Sequence, residues 1–274
     1  MTLPNFIILG AAKAGTTALY HYLGQHPQVG MSRTKETNFL ALMDDPLDFR
    51  GPGDRDYIAR FSVTTLDGYR EQFRGCEAKP AIGEASPLYL YSPKTPRMIG
   101  DMVPEAKLIA ILRDPVDRAY SAFLHLVRDG RETVLDFGQA LRLEDERVRD
   151  GWEHIWHYRR MGCYFEQLDR YYQLFDPARI KVCLYHDFKT NPMAVLRDLF
   201  RFLGVDESYT PDVSTQHNDA ALAPERRPPL LPQVRSELQE WFREDIVSLQ
   251  LLLNRDLSLW IRDMTRYVNC AAAT

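Results

Sequence analysis

The sequence is poor in cysteine, in lysine and in long apolar runs. Its four cysteines, Cys76, Cys163, Cys183 and Cys270, form no Cys-x-x-Cys pair and join no histidine at zinc spacing. Neither a disulfide framework nor a metal site is therefore expected, and the cysteines read as thiols of a reducing compartment. No stretch of about 18 apolar residues occurs, so no membrane span is expected. The run Phe6-Ile7-Ile8-Leu9 is too short, and has no basic residues ahead of it, for a secretion signal. These features point to a cytoplasmic protein. Positive charge is not in excess: 34 Lys and Arg stand against 38 Asp and Glu, a net charge of −4. That argues against a protein that coats nucleic acid and leaves room for a local basic pocket. Only seven of the basic residues are Lys, so each Lys merits individual attention. With 45% hydrophobic and 26% charged residues, the composition is that of a globular chain, and no repeat or low-complexity tract interrupts it.

Three short apolar runs read as buried strands: residues 5–10, 106–112 and 179–185, with a shorter one at 80–85. Helices are expected at 15–25, 54–75, 115–128, 133–149, 157–175, 191–203 and 231–253. Asp114 is placed to cap the third of these, with Pro115 at its first position, and Gly204 is placed to end the sixth. The last helix carries Leu231, Val234, Leu238, Trp241, Phe242, Leu249 and Leu252 at helical spacing and is expected to pack on the core. Segments 34–53 and 205–230, the latter containing His217 and Asn218, read as loops. Strands alternating with helices predict an α/β fold, a single 1–274 domain with a central parallel sheet flanked by helices. Its ligand site is expected beyond the carboxyl ends of the strands.

The first strand runs into Gly10-Ala11-Ala12-Lys13-Ala14-Gly15-Thr16-Thr17 and then into a helix. The two glycines have the spacing of a Walker A loop, and a strand, a small-residue loop and a helix start together make a cradle of backbone N–H groups for an anion. The position of the Walker lysine is Thr16, however, and the loop's only lysine is Lys13, three residues earlier. The blander reading is a tight turn with an exposed lysine.

The segment Lys13-Ala14-Gly15-Thr16-Thr17-Ala18-Leu19 resembles the 5′-phosphosulfate loop of sulfotransferases, which use 3′-phosphoadenosine 5′-phosphosulfate (PAPS) and release adenosine 3′,5′-bisphosphate (PAP). The run from Leu108 to Ser121, LIAILRDPVDRAYS, resembles the strand and helix that hold the 3′-phosphate in that family. Further similarity covers Lys35-Glu36-Thr37-Asn38-Phe39, Glu84-Ala85-Ser86-Pro87-Leu88-Tyr89-Leu90 and Asp256-Leu257-Ser258-Leu259-Trp260. The resemblance runs over most of the chain and is nearest to the bacterial and heparan sulfate branch. It implies a P-loop-like fold and transfer of a sulfuryl group to a hydroxyl or amine of a small-molecule, glycan or lipid acceptor, with no metal. Heparan-type enzymes usually carry a Lys where this chain has Ala85, so the donor site is matched better than the acceptor site.

By this resemblance Lys13 assists the leaving group and Glu36 serves as the base. Ala14, Gly15, Thr16, Thr17 and Ala18 hold the 5′-phosphate, Arg113 and Ser121 the 3′-phosphate. Arg226 and Arg227 supply a closing basic loop, a role suited to guanidinium geometry. Lys35, Glu84 and His125 are candidates for the acceptor cleft; His21, His26 and His125 are rival bases, of which His21 and His26 read as surface or packing residues. Tyr164 and Phe165 are candidates for an adenine slot. Arg113 and Ser121 lie eight residues apart and must be brought together by folding. Two other readings compete: a P-loop nucleotide kinase or NTPase in which Asp114 binds magnesium, and a noncatalytic bisphosphate-nucleotide binder.

Overall fold

A computed structural model describes residues 2–215 and 222–261. The region containing His217, Asn218 and Cys270 lies outside them. Five strands, β1 (Phe6–Gly10), β2 (Val29–Met31), β3 (Ala81–Ala85), β4 (Lys107–Leu112) and β5 (Ile180–Leu184), form one sheet in the order β2-β3-β1-β4-β5. Every pairing is parallel, with Phe6 opposite Gly83 and Lys107, and Leu108 opposite Ile180. The crossover helices bury both faces of such a sheet, which is why all five residues of β1 and of β3 are buried.

Helices α1 (Thr16–Gly24), α2 (Phe39–Leu42), α3 (Asp54–Phe61) and α4 (Leu66–Glu71) separate β1 from β3, with β2 after the first of them. Between β3 and β4 lie α5 (Leu88–Tyr91) and α6 (Thr95–Met102). The second half of the chain supplies α7 (Pro115–Arg128), α8 (Phe137–Arg142), α9 (Glu144–Arg149) and α10 (Tyr164–Tyr172) before β5. It ends with α11 (Tyr185–Thr190), α12 (Pro192–Leu203) and α13 (Pro232–Leu253). No helix among the described residues is long and apolar enough to cross a membrane.

The expected strands are present to within a residue. Tyr185 belongs to α11 rather than to the strand before it, and β2 is an additional edge strand of three residues. The expected long helices are shorter. Segment 54–75 divides into α3 and α4, and 133–149 into α8 and α9. Segment 157–175 reduces to α10, preceded by a 3₁₀ turn at Arg160–Gly162. Asp114 caps α7 by accepting from the Val116 and Asp117 backbone N–H groups at 2.9 and 3.1 Å. Gly204 ends α12 with φ of 80°. On α13, Leu238, Phe242 and Leu249 are buried, but Leu231 and Trp241 are 43% and 55% exposed. Trp241 instead packs under the Arg159 guanidinium, 4.5 Å from its ring centroid.

The β1–β3 contact depends on a missing side chain. A Cβ on Gly83 would sit 2.2 Å from the Phe6 ring, and both residues are buried. Gly83→Ala is therefore expected to destabilise the fold by about 1–3 kcal/mol through overpacking, measured as a lower denaturation midpoint. An unchanged midpoint would mean that Phe6 has room to move.

Candidate active site

The carboxyl ends of β1 and β4 open into a cleft of about 480 Å³. Its first wall is the turn after β1. Lys13 sits there with φ of 66° and Gly15 with φ of 96°. A Cβ on Gly15 would meet the Tyr185 ring at 2.9 Å, so a glycine is required both for the left-handed backbone and for the close approach. Lys13, Gly15, Thr16, Thr17 and Ala18 line the cleft, whereas Ala14 is buried beneath the turn. The start of α1 aims its unpaired N–H groups at the same space.

The second wall is the end of β4 and the first turns of α7. Arg113 donates to the Lys13 carbonyl oxygen at 3.2 Å, and its guanidinium lies 5.1 Å from the centre of the Tyr185 ring. No carboxylate among the described residues pairs with it. Ser121 faces the same cleft two turns along α7. The eight-residue separation is thus bridged because α7 runs back along the cleft. Arg227 reaches the cleft from the late loop, tethered by its Nε to the Leu222 carbonyl at 2.7 Å. Arg226 does not: it is exposed at the end of a 3₁₀ turn, outside the cleft.

The third wall carries Glu36. Its backbone N–H donates to Ala85 at 2.9 Å, its φ is 66°, and its carboxylate pairs with Lys35. Burial alone would raise its pKa, but the Lys35 charge and hydrogen bond, and then Lys13, hold it below the ordinary carboxylate value. Lys13 shows the converse. Burial, helped by Arg128, brings it down to about 8 against the pull of Glu36. A cation that stays protonated at neutral pH yet yields its proton readily suits a leaving-group assistant.

Lys35 serves this wall by neutralising Glu36 and does not itself line the cleft. Glu84 must be reassigned, because it lies wholly in the core and contacts no cleft. Its Oε2 accepts from Thr37 and Ser86 at 2.6 and 2.9 Å, and its Oε1 from Tyr69 and from Tyr89 at 3.0 Å. Burial raises its pKa despite these hydroxyls. The same cage binds the backbone just after Glu36, since the Asn38 N–H donates to Ser86 at 3.1 Å and the Leu40 N–H to Tyr89 at 3.2 Å.

His125 does line the cleft, but its Nδ1 is 2.8 Å from Arg128 and its Nε2 is 3.4 Å from the Tyr57 hydroxyl. Burial, with Lys13 next, lowers its pKa to about 4. It is neutral at physiological pH, and both its nitrogens already have partners. His26 is a packing residue, bonded to the Asp206 carbonyl at 2.9 Å. Tyr164 is fully buried and Phe165 lies outside the cleft, so neither forms an adenine slot. Asp114 has both its cap bonds to make and, being buried, a pKa raised to about 6. It is not among the residues that line the cleft.

Sequence reasoning missed Tyr185, which braces Gly15 and Arg113 together, and Tyr57, Ile58, Phe61, Glu153 and His154, which also line the cleft. Tyr185 was legible as the aromatic at the carboxyl end of the last strand. The other five belong to no motif.

A family model described as "Sulfotransferase family" matches residues 4–211. A sulfotransferase structure from Alicyclobacillus acidocaldarius is 40% identical, covering 96% of this chain and 100% of that one, with a TM-score of 0.87. A mouse sulfotransferase solved in complex with PAP shares the fold at 14% identity and a TM-score of 0.54, over 97% of this chain and 89% of that one. Among curated relatives, the membrane-associated sulfotransferase kil1 of Dictyostelium discoideum is 24% identical over 93% of this chain. Mouse bifunctional heparan sulfate N-deacetylase/N-sulfotransferase 3 is 25% identical over 95%. The chain spans 66% of the length of the first and 31% of the second. With a P-loop-like sheet, a phosphate-type turn after its first strand and a family match over most of its length, the chain belongs to the sulfotransferase family.

Proposed function

We propose that the chain transfers the sulfuryl group of PAPS to a hydroxyl or amine of an acceptor, releasing PAP. The observation that carries this reading is the convergence of Lys13, Glu36, Arg113 and Ser121 on one cleft, with Arg113 free of any carboxylate among the described residues. The backbone of residues 14–18 and the Thr16 and Thr17 hydroxyls hold the 5′-phosphate. Arg113 and Ser121 hold the 3′-phosphate, and Arg227 closes over it. Glu36 takes the acceptor proton as the new bond to sulfur forms. The bond from sulfur to the bridging oxygen breaks, and Lys13 stabilises the charge left on that oxygen. PAP, the nucleotide in the mouse structure, is the product we assign to this cleft.

The test is calorimetric titration with PAP, using adenosine 5′-phosphate and ATP with magnesium as controls. PAP is expected to bind without magnesium and far better than adenosine 5′-phosphate. A preference for ATP with magnesium would sink the reading and favour a kinase. Arg113→Ala isolates the second phosphate. It is expected to weaken PAP by about 1.5–3 kcal/mol, the worth of a charge-assisted contact, and to leave adenosine 5′-phosphate nearly unchanged. Equal loss for the two nucleotides would remove Arg113 from the 3′-phosphate.

A further inference from the structure

Glu84 lies on β3, between β2 and β1, fully buried, and no ion pair reaches it among the described residues. A carboxylate without a countercharge is costly in a core, and the proposed chemistry makes no direct use of it. What surrounds it is a set of hydroxyl donors. Thr37 and Ser86 donate to Oε2 at 2.6 and 2.9 Å, and Tyr69 and Tyr89 to Oε1, the latter at 3.0 Å. Three of these hydroxyls belong to, or grip, the segment that carries Glu36. Thr37 follows Glu36 directly. The Ser86 oxygen accepts from the Asn38 N–H at 3.1 Å, and the Tyr89 oxygen from the Leu40 N–H at 3.2 Å. Tyr69 meets the segment through its ring, stacked on Phe39 at 4.3 Å.

That segment needs holding. Glu36 has φ of 66° and Asn38 φ of 51°, left-handed values that residues other than glycine seldom adopt. Such conformations persist where the surroundings over-determine them. Backbone bonds supply part of this: the Glu36 N–H donates to the Ala85 carbonyl at 2.9 Å, and the Thr37 carbonyl accepts from the Val63 N–H at 2.8 Å. The cage around Glu84 supplies the rest.

We infer that Glu84 is the positioning residue of the general base: through the Thr37, Ser86 and Tyr89 hydroxyls it fixes the left-handed turn that presents Glu36 to the cleft. The inference rests on the sulfuryl-transfer reading, in which Glu36 is the base, and it adds a residue that touches neither substrate nor nucleotide. The two oxygens of a carboxylate accept from all four hydroxyls at once. An amide in its place turns its NH₂ toward either Thr37 and Ser86 or Tyr69 and Tyr89. Each pair includes a hydroxyl already accepting from the turn's backbone, whose own proton then loses its acceptor, and the cage loosens.

The test uses the full chain. Hydrogen exchange reads the turn without reference to activity. Glu84→Gln and Ser86→Ala are expected to speed exchange of the Glu36–Leu40 amides by about tenfold or more, while β1 and β4 keep their protection. Acceptor-free hydrolysis of radiolabelled PAPS to sulfate and PAP reads the consequence, with water as the nucleophile whose proton Glu36 takes. Both variants are expected to slow it by about 10–10²-fold, the scale of a reacting group displaced by up to about 1 Å, with PAP affinity held within a few fold. In a Glu36→Gln background, Glu84→Gln is expected to slow it no further, because the residue it acts through is gone. Tyr69→Phe keeps the ring on Phe39 and removes a hydroxyl that holds no backbone of the turn. It is expected to lower the denaturation midpoint while turn exchange and hydrolysis stay near their wild-type values.

Unchanged turn exchange in Glu84→Gln would overturn the inference. So would a loss of rate that adds in full to that of Glu36→Gln, or a Tyr69→Phe variant slowed as much as Ser86→Ala, since either would mean that the cage serves the fold alone. Should Glu36→Gln itself leave hydrolysis unchanged, the failure falls on the reading of Glu36 as base, and the exchange comparison still decides whether Glu84 holds the turn. Should Glu84→Gln fail to fold, Ser86→Ala set against Tyr69→Phe decides.

Discussion

Lys13→Ala is expected to lower sulfuryl transfer from PAPS by about 10²–10³-fold, the usual cost of removing one group that stabilises transition-state charge. The affinity for PAP is expected to stay within a few fold, because the 5′-phosphate is held by backbone N–H groups and hydroxyls and the 3′-phosphate by Arg113. The split matters: a lysine that merely bound the nucleotide would move affinity and turnover together. Slow hydrolysis of PAPS in the absence of acceptor is the cleanest readout, since the bridging oxygen must leave whatever attacks sulfur. The same residue sets an alkaline limit. With its pKa brought down to about 8 by burial and Arg128, Lys13 loses its proton above that pH, so kcat/KM is expected to fall there. Bound phosphates would raise that pKa and move the limit in kcat upward, because the two parameters report free and complexed enzyme respectively. Lys13→Arg, always charged, is expected to abolish the alkaline fall at reduced rate. Unchanged hydrolysis in Lys13→Ala would take Lys13 out of the chemistry.

The donor half of the site was legible because it is built from local sequence. A continuous apolar run must become a strand buried on both faces. Such a strand leads, at its carboxyl end, into a loop and a helix start. Lys13, Thr16, Thr17 and Arg113 could therefore be placed at the cleft that they line, while the roles given to them came from the family resemblance. The acceptor half was not legible, for two physical reasons. Glu84 was a candidate for the acceptor cleft because its segment, Glu84 to Leu90, is similar to one in the family. Here two nearby hydroxyls, of Ser86 and Tyr89, and two distant in sequence, of Thr37 and Tyr69, converge to solvate it inside the core. Glu153 and His154 lie in a linker without periodicity. They acquire their environment only when α3 and the buried Arg131–Asp54 pair close over that linker. The same limit explains the helices. A 3.6-residue pattern persists through the breaks at 62–65 and at Leu143, so it shows which face is buried but not where the helix stops.

Glu36→Gln is expected to reduce transfer to a hydroxyl by about 10²–10⁴-fold, the range for losing a positioned general base. The amide keeps the size of the side chain but cannot take a proton. The fixed backbone at Glu36, bonded to Ala85 and leading into the Glu84 cage, should present the amide where the carboxylate stood. The effect would then be chemical rather than structural, and PAP affinity is expected to be unaffected. The pH profile distinguishes a base from a charge that only holds Lys35. Burial tends to raise the Glu36 pKa, but Lys35 and Lys13 together keep it below the usual 4.5. The wild-type rate is therefore expected to stay level through mildly acid pH and to fall only below the ordinary carboxylate range. In Glu36→Gln that acid limb is expected to vanish while the alkaline limb set by Lys13 remains, moved somewhat lower because Lys13 loses a favourable neighbour. Persistence of the acid limb in the variant would transfer the role of base to another group, with His125 next in line once an acceptor displaces Arg128 from its Nδ1.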